Sequence, residues 1–166
     1  MKVNTNMKVN ININTVLLML FFLSAGAVLT LSCEKKNGSC SESNISKSGG
    51  DDSHNMGLNC MQCHKSGGEG EGCFNAAGTV YNQALTSTVS TGTVKFFTGP
   101  NGTGNLVKSI AIDSKGNFHT TEAVDVSNLY PAITGPSGTT QYMTTKPPTG
   151  ACNSCHGVST DKLWSN

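Results

Sequence analysis

At 166 residues, with an export leader to subtract, the chain holds one ordinary domain and has no room for a second full core. Charged residues are only 13% of the chain and nearly balance, and every basic residue is lysine, which argues against nucleic acid as a partner because the arginine fork for phosphate is missing. With 19 glycines, many Thr, Asn and Ser, and 6% aromatics, the composition suits short strands joined by turns and sets a helical bundle aside, so the expected class is mainly β.

Residues 1–32 read as a signal peptide. Lys2 and Lys8 precede an unbroken apolar run from Val16 to Leu23, and small residues follow. Two ends compete: Ala25-Gly26-Ala27 is a passable cleavage site, while Leu31-Ser32-Cys33 resembles the close of a bacterial lipoprotein signal, with Thr30 standing where Leu is usual. The lipoprotein reading makes Cys33 a lipidated N-terminus and gives the protein a membrane contact through its lipid. An uncleaved anchor is the other alternative, and the apolar run is short for it. In each case the working part is exported, to the periplasm or to the outer membrane or cell surface.

Residues 33–57 are almost devoid of apolar side chains and read as a flexible tether. Residues 58–74 carry Cys60-Met61-Gln62-Cys63-His64, then the run Gly67-Gly68-Glu69-Gly70-Glu71-Gly72. That run is not a phosphate loop, since no Lys-Ser or Lys-Thr closes it and no apolar strand enters it. Over 75–148 the pattern turns to period two: Val94 and Phe96 alternate with Thr93 and Lys95, and Ile110 and Ile112 with Ser109, Ala111 and Asp113. Gly99-Pro100-Asn101-Gly102 and Asp113-Ser114-Lys115-Gly116-Asn117 are turn sequences of the kind expected in hairpins. Six or seven short strands predict a small two-sheet β-sandwich of Ig-like type. The stretch from Val107 to Thr120, an apolar strand running into Asp-x-x-Gly-Asn-Phe, resembles the regulatory-domain sandwich found beside some carboxypeptidases. That resemblance implies a prealbumin-like fold and brings no catalytic residues with it.

Residues 149–166 carry the second pentapeptide, Cys152-Asn153-Ser154-Cys155-His156. In both pentapeptides one helical turn would put two sulfurs along one porphyrin edge, where they add to the vinyl groups, and the next residue would place an imidazole under the iron. The expected cofactor is therefore haem c, two copies, covalently held. A four-thiolate zinc site would use the same cysteines but leaves both histidines unexplained. A thioredoxin-like redox pair lacks the surrounding alternation of strands and helices.

Through these two motifs, and through Ser53-His54-Asn55-Met56-Gly57 upstream of the first, the chain resembles bacterial multihaem c-type cytochromes. The resemblance covers both flanks of the β region and not its interior. It implies that Cys60, Cys63, Cys152 and Cys155 are thioether ligands and that His64 and His156 are proximal iron ligands. The long β insertion departs from compact monohaem cytochromes and leaves the placement of the haems open.

Seven cysteines is an odd number. After Cys33 and the two motifs are set aside, Cys40 and Cys73 remain and can form a disulfide; two free thiols are the alternative. For the sixth position of each iron the candidates are His54 first and Met143 second, nine residues ahead of the second motif. Met56, Met61 and His119 are weaker, the last because it should point to solvent if Phe118 points into the core. The function expected from all this is electron transfer without substrate turnover, with redox proteins and the haem maturation machinery as partners. Two alternatives stand beside it: a haem peroxidase or sensor with an open iron site, and a structural or binding β-sandwich surface module.

Overall fold

Alternation of branched and polar residues decides the centre of the molecule. Along strand β3 (Thr93–Phe97), Val94 and Phe96 are buried while Thr93, Lys95 and Phe97 are only half-buried, following the period of two that a pleated strand imposes. The computed structural model describes residues 39–166. The expected signal peptide at 1–32, the expected lipidation at Cys33 and the first residues of the expected tether lie outside the described residues.

The fold is mainly β, with several sheets and short 3₁₀ turns, and no described helix reaches seven residues. Four antiparallel strands form the largest sheet in the order β4 (Leu106–Ala111), β3, β6 (Tyr130–Thr134), β7 (Thr140–Tyr142). Val94 sits opposite Ile110 on one side and Ile133 on the other. Strand β1 (Ala76–Thr79) pairs antiparallel with β5 (Asn117–Thr120), and β2 (Tyr81–Asn82) pairs parallel with β8 (Trp164–Ser165). Ala76, Val80 and Phe118 share one core cluster with Val94, Phe96, Ile110, Ile112 and Ile133. Fully burying a side chain the size of Phe96 or Phe118 contributes about 2–3 kcal/mol.

Turn chemistry holds at both predicted turns, but only one makes a hairpin. Between β3 and β4, Asn101 takes φ 54° and Gly102 φ 74°, the left-handed values that Asn and Gly tolerate best. At the second turn the Asp113 carboxylate accepts from the N–H of Lys115 (2.9 Å) and of Asn117 (3.0 Å). The expectation of a hairpin there is corrected, because the turn carries the chain from β4 into the other sheet, where β5 joins β1. The reason is burial on both faces. Asn117, Phe118 and Thr120 are all buried, and all of β1 is buried too, so β1 gives β5 a fully covered neighbour.

The tether reading also differs from what the structure gives for residues 44–53. Ile45 forms an isolated bridge with Thr120, and the Ser46 hydroxyl donates to the Ala111 carbonyl at 2.7 Å. The Ser114 hydroxyl donates to Gly50 O at 2.8 Å and Lys115 Nζ to Ser53 O at 2.8 Å. A chain with little to bury takes its order here from hydrogen bonds to a sheet edge and a turn, which apolar content does not register. Cys40 and Cys73 form a disulfide, with Cα atoms 4.7 Å apart, that fastens this strap beside the first motif.

Candidate functional site

The two C-x-x-C-H pentapeptides fold alike. Each opens a 3₁₀ turn, Cys60–Gln62 and Cys152–Ser154. In the first, Cys60 O accepts from the N–H of Cys63 (3.2 Å) and of His64 (3.0 Å); in the second, Cys152 O accepts from Cys155 (3.3 Å) and His156 (3.0 Å). This doubled bond winds each motif tightly, so both cysteines and the following histidine leave one short turn.

Each histidine is then oriented in the same way. His64 Nδ1 lies 2.9 Å from the Glu71 carbonyl, and His156 Nδ1 lies 2.9 Å from the Asp161 carbonyl. A carbonyl only accepts, so Nδ1 is the donor in each ring, which in the neutral imidazole puts the lone pair on Nε2. A metal-binding imidazole is commonly oriented by just such a bond. Burial holds His64 below the usual imidazole range, the nearby His54 adds to this, and the Glu71 carbonyl opposes it. The ring is therefore neutral and able to ligate.

The glycine run between Gly67 and Gly72 finds its role around His64. A Cβ at Gly70 would lie 2.7 Å from the imidazole, so only glycine lets the loop close over the ring. Phe74 stacks on His64 at 4.0 Å between ring centres, and His119 stacks on Phe74 at 4.6 Å. His119 lies on the face opposite Phe118, as alternation requires, yet it does not point into open solvent. Asn44 of the strap covers it, with Nε2 2.8 Å from Asn44 Oδ1. Burial pushes its pKa down to about 4. His54 is exposed, and its ring centre lies 6.1 Å from that of His64.

Both motifs converge on strand β1. Ala77 forms an isolated bridge with Ala151, and a Cβ at Gly78 would meet the Phe118 ring at 2.8 Å and Cys152 Cβ at 3.0 Å. Asn153, buried at the heart of the second motif, joins the pieces. Its Oδ1 accepts from Thr79 N (3.1 Å), and its Nδ2 donates to Thr79 Oγ1 (3.1 Å) and to the Leu58 carbonyl (2.9 Å). The Leu58 carbonyl also lies 3.6 Å from Cys60 Sγ. The two turns are thus in direct contact.

A cavity of about 500 Å³ opens beside the second motif, lined by Cys152, Cys155, His156, Met143, Phe118, Leu163 and Trp164 among mostly apolar neighbours. Lys162 also lines it and stands 4.1 Å from the centre of the Tyr81 ring. Burial pushes the Cys152 thiol up to about 12, with Cys60 nearby acting in the same direction, and burial also raises the Cys60 thiol. The Cys63 sulfur is engaged in a disulfide. Among the described residues, no three His, Cys, Asp or Glu side chains converge to hold a single metal ion.

Of the residues that position the site, Gly70, Phe74 and Asn153 were not legible as such in the sequence. Gly70 had a signal, the glycine run directly after His64, whereas Phe74 and Asn153 act through contacts that spacing does not encode. No family model, curated protein or solved structure matches the chain.

Proposed function

We propose that the chain is an exported dihaem c-type cytochrome that transfers electrons in the periplasm or at the cell surface. The observation that carries this reading is the duplicated geometry: two pentapeptides wound into the same turn, each with its histidine Nδ1 on a carbonyl and Nε2 left as the ligating atom. A structural loop needs neither the repetition nor the matching tautomer.

The residues present fit the group. Cys60, Cys63, Cys152 and Cys155 would form the thioethers, and His64 and His156 would bind the irons. The mostly apolar cavity holding Cys152, Cys155 and His156 lies within the ~300–1,000 Å³ range of cofactor sites. Haem supplies a one-electron couple. The chain's own part is to fix each imidazole, to line the second site mostly with apolar side chains, and to brace both turns on β1. The Cys63 disulfide must be reduced before that sulfur can add to a vinyl group.

On the same proposal residues 75–148 form a prealbumin-like or Ig-like sandwich, supported by the single core that the β1–β5 pair shares with the four-stranded sheet. The proposed address is a lipid anchor on Cys33, with redox proteins and the haem maturation machinery as partners. Intact mass and a pyridine haemochrome spectrum of protein exported from cells with working cytochrome maturation test the function. Two haems that resist acid-acetone extraction are expected; a colourless protein from such cells would refute it.

A further inference from the structure

The two motifs share one local geometry but not one environment. At the first, the nearest second ligand is an imidazole. Two imidazoles on opposite sides of one metal ion, each with nitrogen about 2.0 Å from it, have ring centres roughly 6 Å apart. The His54 and His64 rings stand 6.1 Å apart, and His54 is exposed, on a segment held by the bonds that Lys115 and Asn117 make to Ser53. At the second, no other histidine lines the cavity, and Met143 is the one methionine among the lining residues. Met143 is fixed there by its backbone, whose N–H donates to the Pro131 carbonyl of β6 at 2.9 Å.

We propose, resting on the dihaem reading, that the two irons are ligated unequally, His54 with His64 at the first site and Met143 with His156 at the second, so that electrons entering at the first come to rest at the second. Two physical effects set this direction. A thioether in place of an imidazole favours ferrous iron and raises the potential. The mostly apolar wall of the second site disfavours the extra charge of the ferric state, whereas His54, the second ligand proposed at the first site, is exposed. The path between them is short, since the Leu58 carbonyl accepts from Asn153 at 2.9 Å and neighbours Cys60 Sγ at 3.6 Å.

The experiment uses the full-length exported protein after intact mass has shown two covalent haems. A potentiometric titration followed optically should resolve two one-electron waves. The ferric spectrum should show the weak long-wavelength band of a thioether on iron, at the amplitude of one haem in two. Met143→Ala should abolish that band and lower the upper wave while the lower wave stays in place. Met143→His, which keeps a ligand in the cavity, should lower the upper wave with both haems low-spin, separating ligand loss from misfolding. His54→Ala should make about half of the haem high-spin and able to bind carbon monoxide, with the thioether band intact. Two haems with no thioether band, or a band that survives Met143→Ala, overturn the unequal assignment while leaving the dihaem reading in place. Protein without covalent haem overturns both.

Discussion

Two single groups carry charge states set by burial. With its pKa near 12, Cys152 exposes about a thousandfold less thiolate at pH 8 than an ordinary cysteine would. Alkylation of the haem-free, reduced protein at pH 8, followed by mass spectrometry, should therefore modify Cys152 far more slowly than it does once urea unfolds the chain. Modification of Cys152 at the unfolded rate would show that its wall is open. His119 behaves in the opposite sense. Its folded pKa lies near 4 against about 6.5 unfolded, so its neutral form stabilises the fold fully above pH 6.5. That contribution is lost as pH falls through 4, and amounts to about 3 kcal/mol. His119→Gln should flatten the acid limb of a stability profile between pH 6.5 and 4, read as urea midpoints. An unchanged slope would shift the responsibility to His64, whose depressed pKa acts in the same direction.

At the scale of elements, one glycine and one asparagine hold the turns. Gly70→Ala would set a methyl group 2.7 Å from the His64 ring, and the loop or the imidazole must then move. The expected outcome is a stability loss of about 1–3 kcal/mol and, on the proposed dihaem reading, a spectral change confined to the haem of the first motif. Asn153→Ala acts on both motifs, since it strips partners from Thr79 N and the Leu58 carbonyl. A cost of about 2–3 kcal/mol is expected in chemical denaturation, because buried polar groups are left unpaired. A loss below about 0.5 kcal/mol would mean that water replaces the amide without penalty.

Across the whole molecule, the strap and its disulfide act as one fastening. The Cys40–Cys73 bridge links positions 33 residues apart, for which the chain-entropy account gives about 3–4 kcal/mol. Replacing both cysteines by alanine should lower stability by about that amount, and should release the amides of Ser46 and Thr121 to hydrogen exchange before those of β3. Exchange that loosens β3 equally would show that the strap belongs to the core's cooperative unit.

Short-range chemistry was readable directly from the residues. The alternation around Val94, Phe96 and Ile110, the Asn101-Gly102 and Asp113–Asn117 turns, and the spacing of the two pentapeptides each depend on neighbours within a few positions. Sequence alone therefore determined a mainly β chain with two similar chemical motifs. It did not determine the sheet that β5 joins, because a turn sequence limits the bend without choosing the partner, and burial on both faces makes that choice. Nor did it give order to residues 44–53 or a cover to His119, since both come from polar contacts between segments more than sixty residues apart. The tertiary structure also brought Asn153 onto Leu58, 95 residues apart, and placed Met143 on the cavity of His156. Spacing codes for what one turn of chain can present. What that turn meets is decided by packing, where burial and hydrogen-bond satisfaction act between segments that the sequence keeps apart.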